Sequence, residues 1–147
     1  MARDPPRIAV VDDESGVRNG LTRLLRSAGF DSAAYAGGAE FLDDLATTRP
    51  HGLILDLRMP EMDGFELLDR LADSGRDIPV VILTSFPSAE TRHRALRAGV
   101  VAFLEKPAER AALLEALDRA LSIGLRTEPP SDRDDFDPES MKEESIP

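Results

Sequence analysis

Five times along the chain, a short and nearly continuous apolar run gives way to a stretch whose apolar residues recur every three or four positions. The runs are "RIAVV" (7–11), "DSAAYA" (31–36), "GLILDL" (52–57), "PVVILTS" (79–85) and "VVAFLEK" (100–106). Runs of this length suit strands covered on both faces, as in a parallel sheet. Between them, Val17, Leu21, Leu24 and Leu25 share one face of a helix that Gly29 closes. Phe41, Leu42 and Leu45 mark a second helix over 37–48, and Phe65, Leu68, Leu71 and Ala72 a third over 64–72. Residues 88–98 read as a fourth helix with a poor apolar stripe. Leu113, Leu114, Leu117 and Leu121 mark a fifth over 108–122, with Gly124 as its expected stop.

Strands that alternate with helices imply βαβ crossovers, and these require a mainly parallel sheet. The first, third and fourth runs are apolar at nearly every position and belong at the centre. The weaker second and fifth fit the edges. The predicted fold is α/β, a doubly wound five-stranded parallel sheet of order 2-1-3-4-5, flavodoxin-like. Such a sheet binds its ligand where the order reverses, at the carboxyl ends of strands 1 and 3.

Composition narrows the function classes. The 147 residues suffice for one compact domain, and the 41% hydrophobic, 31% charged content is that of a soluble globular protein. No apolar run approaches the roughly 18 residues of a membrane span. "MARDPPR" leads into the first strand without the apolar core of a signal peptide, so the expected location is cytoplasmic. The absence of cysteine removes disulfides, thiolate zinc sites and a cysteine nucleophile. His51 and His93 are the only histidines, and both read as surface residues without a partner. A net charge of −10 argues against binding nucleic acid. Residues 126–147, "RTEPPSDRDDFDPESMKEESIP", hold eight acids against three bases, with Phe136, Met141 and Ile146 their only bulky apolar residues. The expected division is a folded domain over 1–124 and an acidic, proline-rich disordered tail or linker over 125–147.

The acids of the remaining core are not scattered. In the predicted fold, strand 1 ends in Asp12 and Asp13, strand 3 in Asp56, strand 4 in Thr84 and Ser85, and strand 5 in Lys106 and Pro107. Crowded carboxylates do not all stay charged at low cost unless a cation relieves them. An all-oxygen site suits Mg²⁺. A carboxylate beside such a metal can attack a phosphoryl group and form an aspartyl phosphate. Thr84 can donate to one phosphoryl oxygen, and Lys106, one of two lysines against sixteen arginines, can neutralise another. Each residue also has a plainer reading. The acids of "DDES" favour the N-terminus of the next helix. Thr84 could cap a helix, Phe103 be a half-buried strand residue and Arg58 a solvated loop residue. Met59 and Met62 fit as gap fillers, and Gly64 as a turn or helix-start glycine.

Taken in order, the pair "DD" after strand 1, the "D" closing strand 3 with "MPEMDG" behind it, "TS" after strand 4 and "KP" after strand 5 resemble the receiver domain of two-component response regulators. The match runs from about Arg7 to Ser122. The resemblance implies a signalling domain rather than an enzyme, one that autocatalyses its own phosphorylation and dephosphorylation. It assigns Asp56 as phosphoacceptor. Asp12 and Asp13 match the Mg²⁺-binding acid pair, Asp13 the more direct ligand, and the backbone carbonyl of Arg58 matches the third protein ligand beside Asp56. Thr84 and Lys106 match the phosphoryl-contacting residues, and Phe103 the aromatic that moves with Thr84. A cis Lys106–Pro107 bond is implied as well. The implied partners are a sensor histidine kinase or phosphotransfer protein, a target controlled through the strand 4–helix 4–strand 5 face, and a homodimer through helix 4, strand 5 and helix 5. No direct contact with nucleic acid or membrane is expected. "LRMPEMDG" looks most like receivers that precede helix-turn-helix output domains, while Phe86-Pro87 departs from the commonest loop. A stand-alone receiver is the favoured reading, and the receiver half of a truncated DNA-binding transcriptional regulator is the alternative. A small aspartyl-nucleophile phosphatase is less favoured, since it wants its nucleophile in the first strand with a second acid two residues on.

Overall fold

The structure, a computed structural model, describes residues 5–127. Strands and helices alternate as β1 (Arg7–Val11), α1 (Ser15–Ser27), β2 (Asp31–Tyr35), α2 (Gly38–Thr48), β3 (Gly52–Leu55), α3 (Gly64–Ser74), β4 (Val80–Thr84), α4 (Ala89–Arg97), β5 (Ala102–Glu105) and α5 (Arg110–Thr127). The sheet has the order β2-β1-β3-β4-β5, and every pairing is parallel. This is the predicted doubly wound fold.

Strand periodicity divides the apolar runs between two cores, because successive side chains leave a strand on opposite faces. Ile8, Val10, Ile54, Val81 and Leu83 pack with Leu21 and Leu25 of α1 and Leu113 and Leu117 of α5. Ala9, Val11, Leu53, Leu55 and Ile82 pack with Phe41, Leu45, Leu67 and Leu71 of α2 and α3. With both faces covered, β3 and β4 are buried at every position, and β1 at all but its first. At the edges, β2 is mostly half-buried and β5 ends on an exposed Glu105. The thinnest cover is α4, whose only buried residue is Ala95.

Helix ends follow local chemistry. Gly29, at φ 92, takes the left-handed position just beyond α1. Asp63 caps α3 by accepting from the Glu66 N–H at 2.9 Å. Ser88 caps α4 by accepting from the Thr91 N–H at 3.0 Å, so the capping hydroxyl of this segment is Ser88 and not Thr84. One end differs from the sequence reading. α5 starts at Arg110 rather than Ala108 and runs through Gly124 to Thr127. A glycine inside a helix costs only about 1 kcal/mol, and Leu125 and Arg126 are good helix formers, so Gly124 is not a stop. The expected boundary after residue 124 therefore falls within α5. The rest of the expected tail, 128–147, lies outside the described residues. Lys106–Pro107 is cis, as expected. No helix of the described residues is long and apolar enough to cross a membrane.

Gly64 opens α3 under a tight constraint. A Cβ there would stand 2.7 Å from the Leu57 Cα and 2.9 Å from the Asp56 carbonyl oxygen. Its N–H donates to the Leu57 carbonyl at 3.0 Å. The helix is pressed directly against the backbone that carries Asp56.

Candidate functional site

Asp12 and Asp56 stand one residue beyond the ends of β1 and β3 and are still held by backbone hydrogen bonds. The Asp12 N–H donates to the Tyr35 carbonyl at 3.1 Å, and the Asp56 N–H to the Val11 carbonyl at 3.0 Å. Both acids are nearly inaccessible, 2% and 5% exposed. Asp13 is exposed. One carboxylate oxygen from each of the three lies within 4.8 Å of the others, so the structure brings the predicted acids together.

Lys106 reaches the same place from the far edge of the sheet. Its backbone N–H donates to the Thr84 carbonyl at 2.8 Å. Its ammonium lies 2.8 Å from Asp12 Oδ2, 3.2 Å from Asp56 Oδ2 and 3.4 Å from Glu14 Oε1. The second oxygens of the two buried acids are held by main chain. Asp12 Oδ1 accepts from the Glu14 N–H at 2.9 Å, and Asp56 Oδ1 from the Arg58 N–H at 3.2 Å. Each carboxylate is thus fixed between a peptide N–H and one shared cation.

That cation is outnumbered by Asp12, Asp13, Asp56 and Glu14. Burial pushes the Asp56 carboxyl above its ordinary value. The Arg58 N–H pulls it down, the neighbouring Asp12 charge pushes it up again, and Lys106 offsets only part. For Lys106, burial works to lower the ammonium, but the hydrogen bond and charge of Asp12, and then Asp56, hold it above its ordinary value. A cluster of hard oxygen donors with surplus negative charge fits a small divalent cation such as Mg²⁺.

Around this cluster the remaining predicted residues have distinct surroundings. Thr84 is 1% exposed, and its Oγ1 finds no hydrogen-bond partner among the described residues. Phe103 is 7% exposed and belongs to the core on the α2–α3 face, more deeply buried than a half-exposed strand position. The Arg92 guanidinium lies 5.7 Å from its ring centroid, and Arg92 Nη1 donates to the Phe103 carbonyl at 3.4 Å. Arg58 is not merely a solvated loop residue, since its guanidinium stacks over Phe86 at 4.6 Å and links the loops after β3 and β4. Met59 and Met62 do fill gaps against the core. His93 is exposed. His51 is also exposed, yet its Nδ1 accepts from the Arg7 N–H at 3.0 Å, a partner 44 residues away that local spacing does not reveal.

Two residues of the pocket escaped the sequence reading. Glu14, read only as a helix-start acid, reaches Lys106. Arg18 Nη1 donates to the Asp12 carbonyl at 2.8 Å and ties α1 to the acid-bearing loop. Its spacing of four from Glu14 was the available signal, because it sets both residues on one side of the first turn of α1.

The family model for the response regulator receiver domain matches residues 8–118. Among curated proteins, "Response regulator MprA" of Mycobacterium avium is 40% identical over 126 residues, covering 86% of this chain and 54% of that protein. MprA of Mycobacterium tuberculosis is 40% identical over 123 residues, covering 84% and 52%. The chain spans about half the length of these curated relatives. Among solved structures, response regulator StyR is similar with a TM-score of 0.77 and 38% identity, over 83% of this chain and 62% of that one. FixJ-N gives 0.75 and 35% over 83% and 96%. The Vibrio cholerae chemotaxis protein CheY4 gives 0.74 and 28% over 80% and 99%.

Proposed function

The chain belongs to the response regulator receiver domain family of two-component systems, and from that premise we propose that Asp56 is its phosphoacceptor. The observation that carries the proposal is a carboxylate only 5% exposed, held between the Arg58 N–H and the Lys106 ammonium and within 4.8 Å of two further carboxylates. Asp12, Asp13 and Asp56, with the backbone carbonyl of Arg58, would hold Mg²⁺. When bound, the ion supplies positive charge for the oxygens of an incoming phosphoryl group.

The residues of the chain do the rest. An oxygen of Asp56 attacks the phosphorus of a phosphohistidine donor. The new P–O bond replaces the P–N bond, and the imidazole leaves. Lys106 stays beside the product to balance the charge that arrives, and catalysis is mostly positioning and charge stabilisation. Thr84 has a buried hydroxyl free to donate to a phosphoryl oxygen, which would recover roughly the 1–3 kcal/mol that an unsatisfied buried polar group costs. Movement of Thr84 toward the phosphoryl group would open space for Phe103. Because Arg92 of α4 holds the Phe103 carbonyl and faces its ring, α4 follows. That makes the β4–α4–β5 face the output surface, for a target protein or for a second copy through α4, β5 and α5.

Transfer of labelled phosphate from a phosphohistidine protein tests this reading. Label should appear on the chain in Mg²⁺ and not in EDTA. Equal labelling in EDTA would contradict it. A second reading, the receiver half of a longer transcriptional regulator, is favoured by the half-length coverage of the MprA relatives. The full reading frame of the gene decides between the two.

A further inference from the structure

The loop between β1 and α1, which carries two of the three acids, is anchored on both sides of Asp13. The Asp12 N–H donates to the Tyr35 carbonyl at 3.1 Å, and the Glu14 N–H to Asp12 Oδ1 at 2.9 Å. Between these anchors lies the Asp12–Asp13 peptide. A planar peptide can turn about its flanking dihedrals with little movement of its neighbours, and the turn changes the direction in which the Asp13 side chain leaves the backbone. The side chain that grips this peptide is Arg18, whose Nη1 donates to the Asp12 carbonyl at 2.8 Å. Arg18 stands in the first turn of α1, with Val17 packed on the core and Leu21 buried in it, so the grip comes from a rigid element.

Arg18 follows Asp12, Asp13 and Glu14 in the sequence, yet among the described residues it forms no ion pair. Its donor goes to a neutral peptide oxygen instead. Asp13, for its part, is exposed, and no hydrogen bond or ion pair among the described residues holds its carboxylate. Asp12 and Asp56 are each fixed by Lys106 and a peptide N–H. Repulsion from these two acids favours turning Asp13 out into water. One of its oxygens nevertheless stays within 4.8 Å of theirs. With no partner on the carboxylate itself, its place follows from the backbone that carries it.

We propose that Arg18 is a positioning residue for the cation site: by fixing the Asp12–Asp13 peptide it keeps the Asp13 carboxylate beside Asp12 and Asp56. The inference rests on the reading of these acids as a Mg²⁺ site. Its sign separates it from plain electrostatics. A positive charge near the site opposes a second cation, so if charge alone counted, removing the guanidinium would tighten Mg²⁺ binding. If Arg18 preorganises an acid that otherwise turns to solvent, removing it weakens binding, as loss of groups that orient metal ligands does.

Mg²⁺ titrations of the full chain and of Arg18→Met, followed by amide chemical shifts, distinguish the two. Methionine keeps a helix-forming stem and removes both donor and charge. Affinity should fall about tenfold, with thermal unfolding in EDTA showing that the variant is folded. In an Asp13→Asn background the same substitution should change affinity little, because the carboxylate it acts through is gone. Unchanged or tighter binding by Arg18→Met would overturn the proposal, and so would an equal loss in both backgrounds. Lower thermal stability with native affinity would also overturn it, leaving Arg18 a structural tie. A native chain that bound no Mg²⁺ would remove the cation site itself and the role of Arg18 with it, an outcome distinct from any result on the variants.

Discussion

Asp56 is charged in surroundings that oppose the charge. Burial raises its pKa in the folded chain, so the folded state binds protons more readily than the unfolded state over the range above the ordinary value of 3.8. Stability then falls as pH rises through that window, and the ionised acid destabilises the metal-free fold at neutral pH. Asp56→Asn should therefore raise the melting temperature in EDTA. Scanning calorimetry of both proteins checks the sign. Lys106 is the opposite case. Its pKa is raised, so its contribution is complete below its ordinary value of 10.5 and is lost as pH climbs through the folded value. Lys106→Met leaves Asp12 and Asp56 without their shared cation and should cost up to about 3 kcal/mol in EDTA. Saturating Mg²⁺ should recover part of that loss. Urea titrations with and without the ion test both statements, and a loss unaffected by Mg²⁺ would point to packing instead.

The elements around the site differ in how firmly they are held. At α3, the close approach of Gly64 to the backbone of Asp56 and Leu57 leaves no room for a side chain. Gly64→Ala should cost roughly 1–3 kcal/mol by denaturant titration, because backbone must shift to admit the methyl group. At α4, a single buried residue is supplemented by arginine–aromatic contacts, Arg92 on Phe103 and Arg94 on Phe65 at 3.9 Å. Such contacts contribute only about 0.5–1 kcal/mol each when exposed. Amide exchange in α4 should accordingly be faster than in α1 or α5, and equal protection would refute a loosely held helix. The poor stripe of α4 was legible in the sequence, because apolar periodicity records burial directly. The stacks of Arg58 on Phe86 and Arg94 on Phe65 were not, since arginine spacing says nothing about which distant aromatic it will meet. The end of α5 was misread for a local reason, a glycine taken as a stop where neighbouring residues favour helix.

For the molecule as a whole, the sheet order followed from the grading of the five runs, with uniformly apolar strands inside and mixed ones outside. That order alone placed Asp12, Asp13, Asp56, Thr84 and Lys106 at one edge, before any distance was known. It could not supply the depth of Phe103 or the third carboxylate on Lys106, which depend on side-chain packing across elements. The central claim is that this edge exists to place a phosphoryl group on Asp56. The direct measurement is intact mass after incubation with acetyl phosphate and Mg²⁺, for the native chain and for Asp56→Asn. The account predicts the mass of a single added phosphoryl group on the native chain, labile to hydroxylamine as an acyl phosphate is, and none on the variant. Undiminished phosphorylation of Asp56→Asn would contradict it.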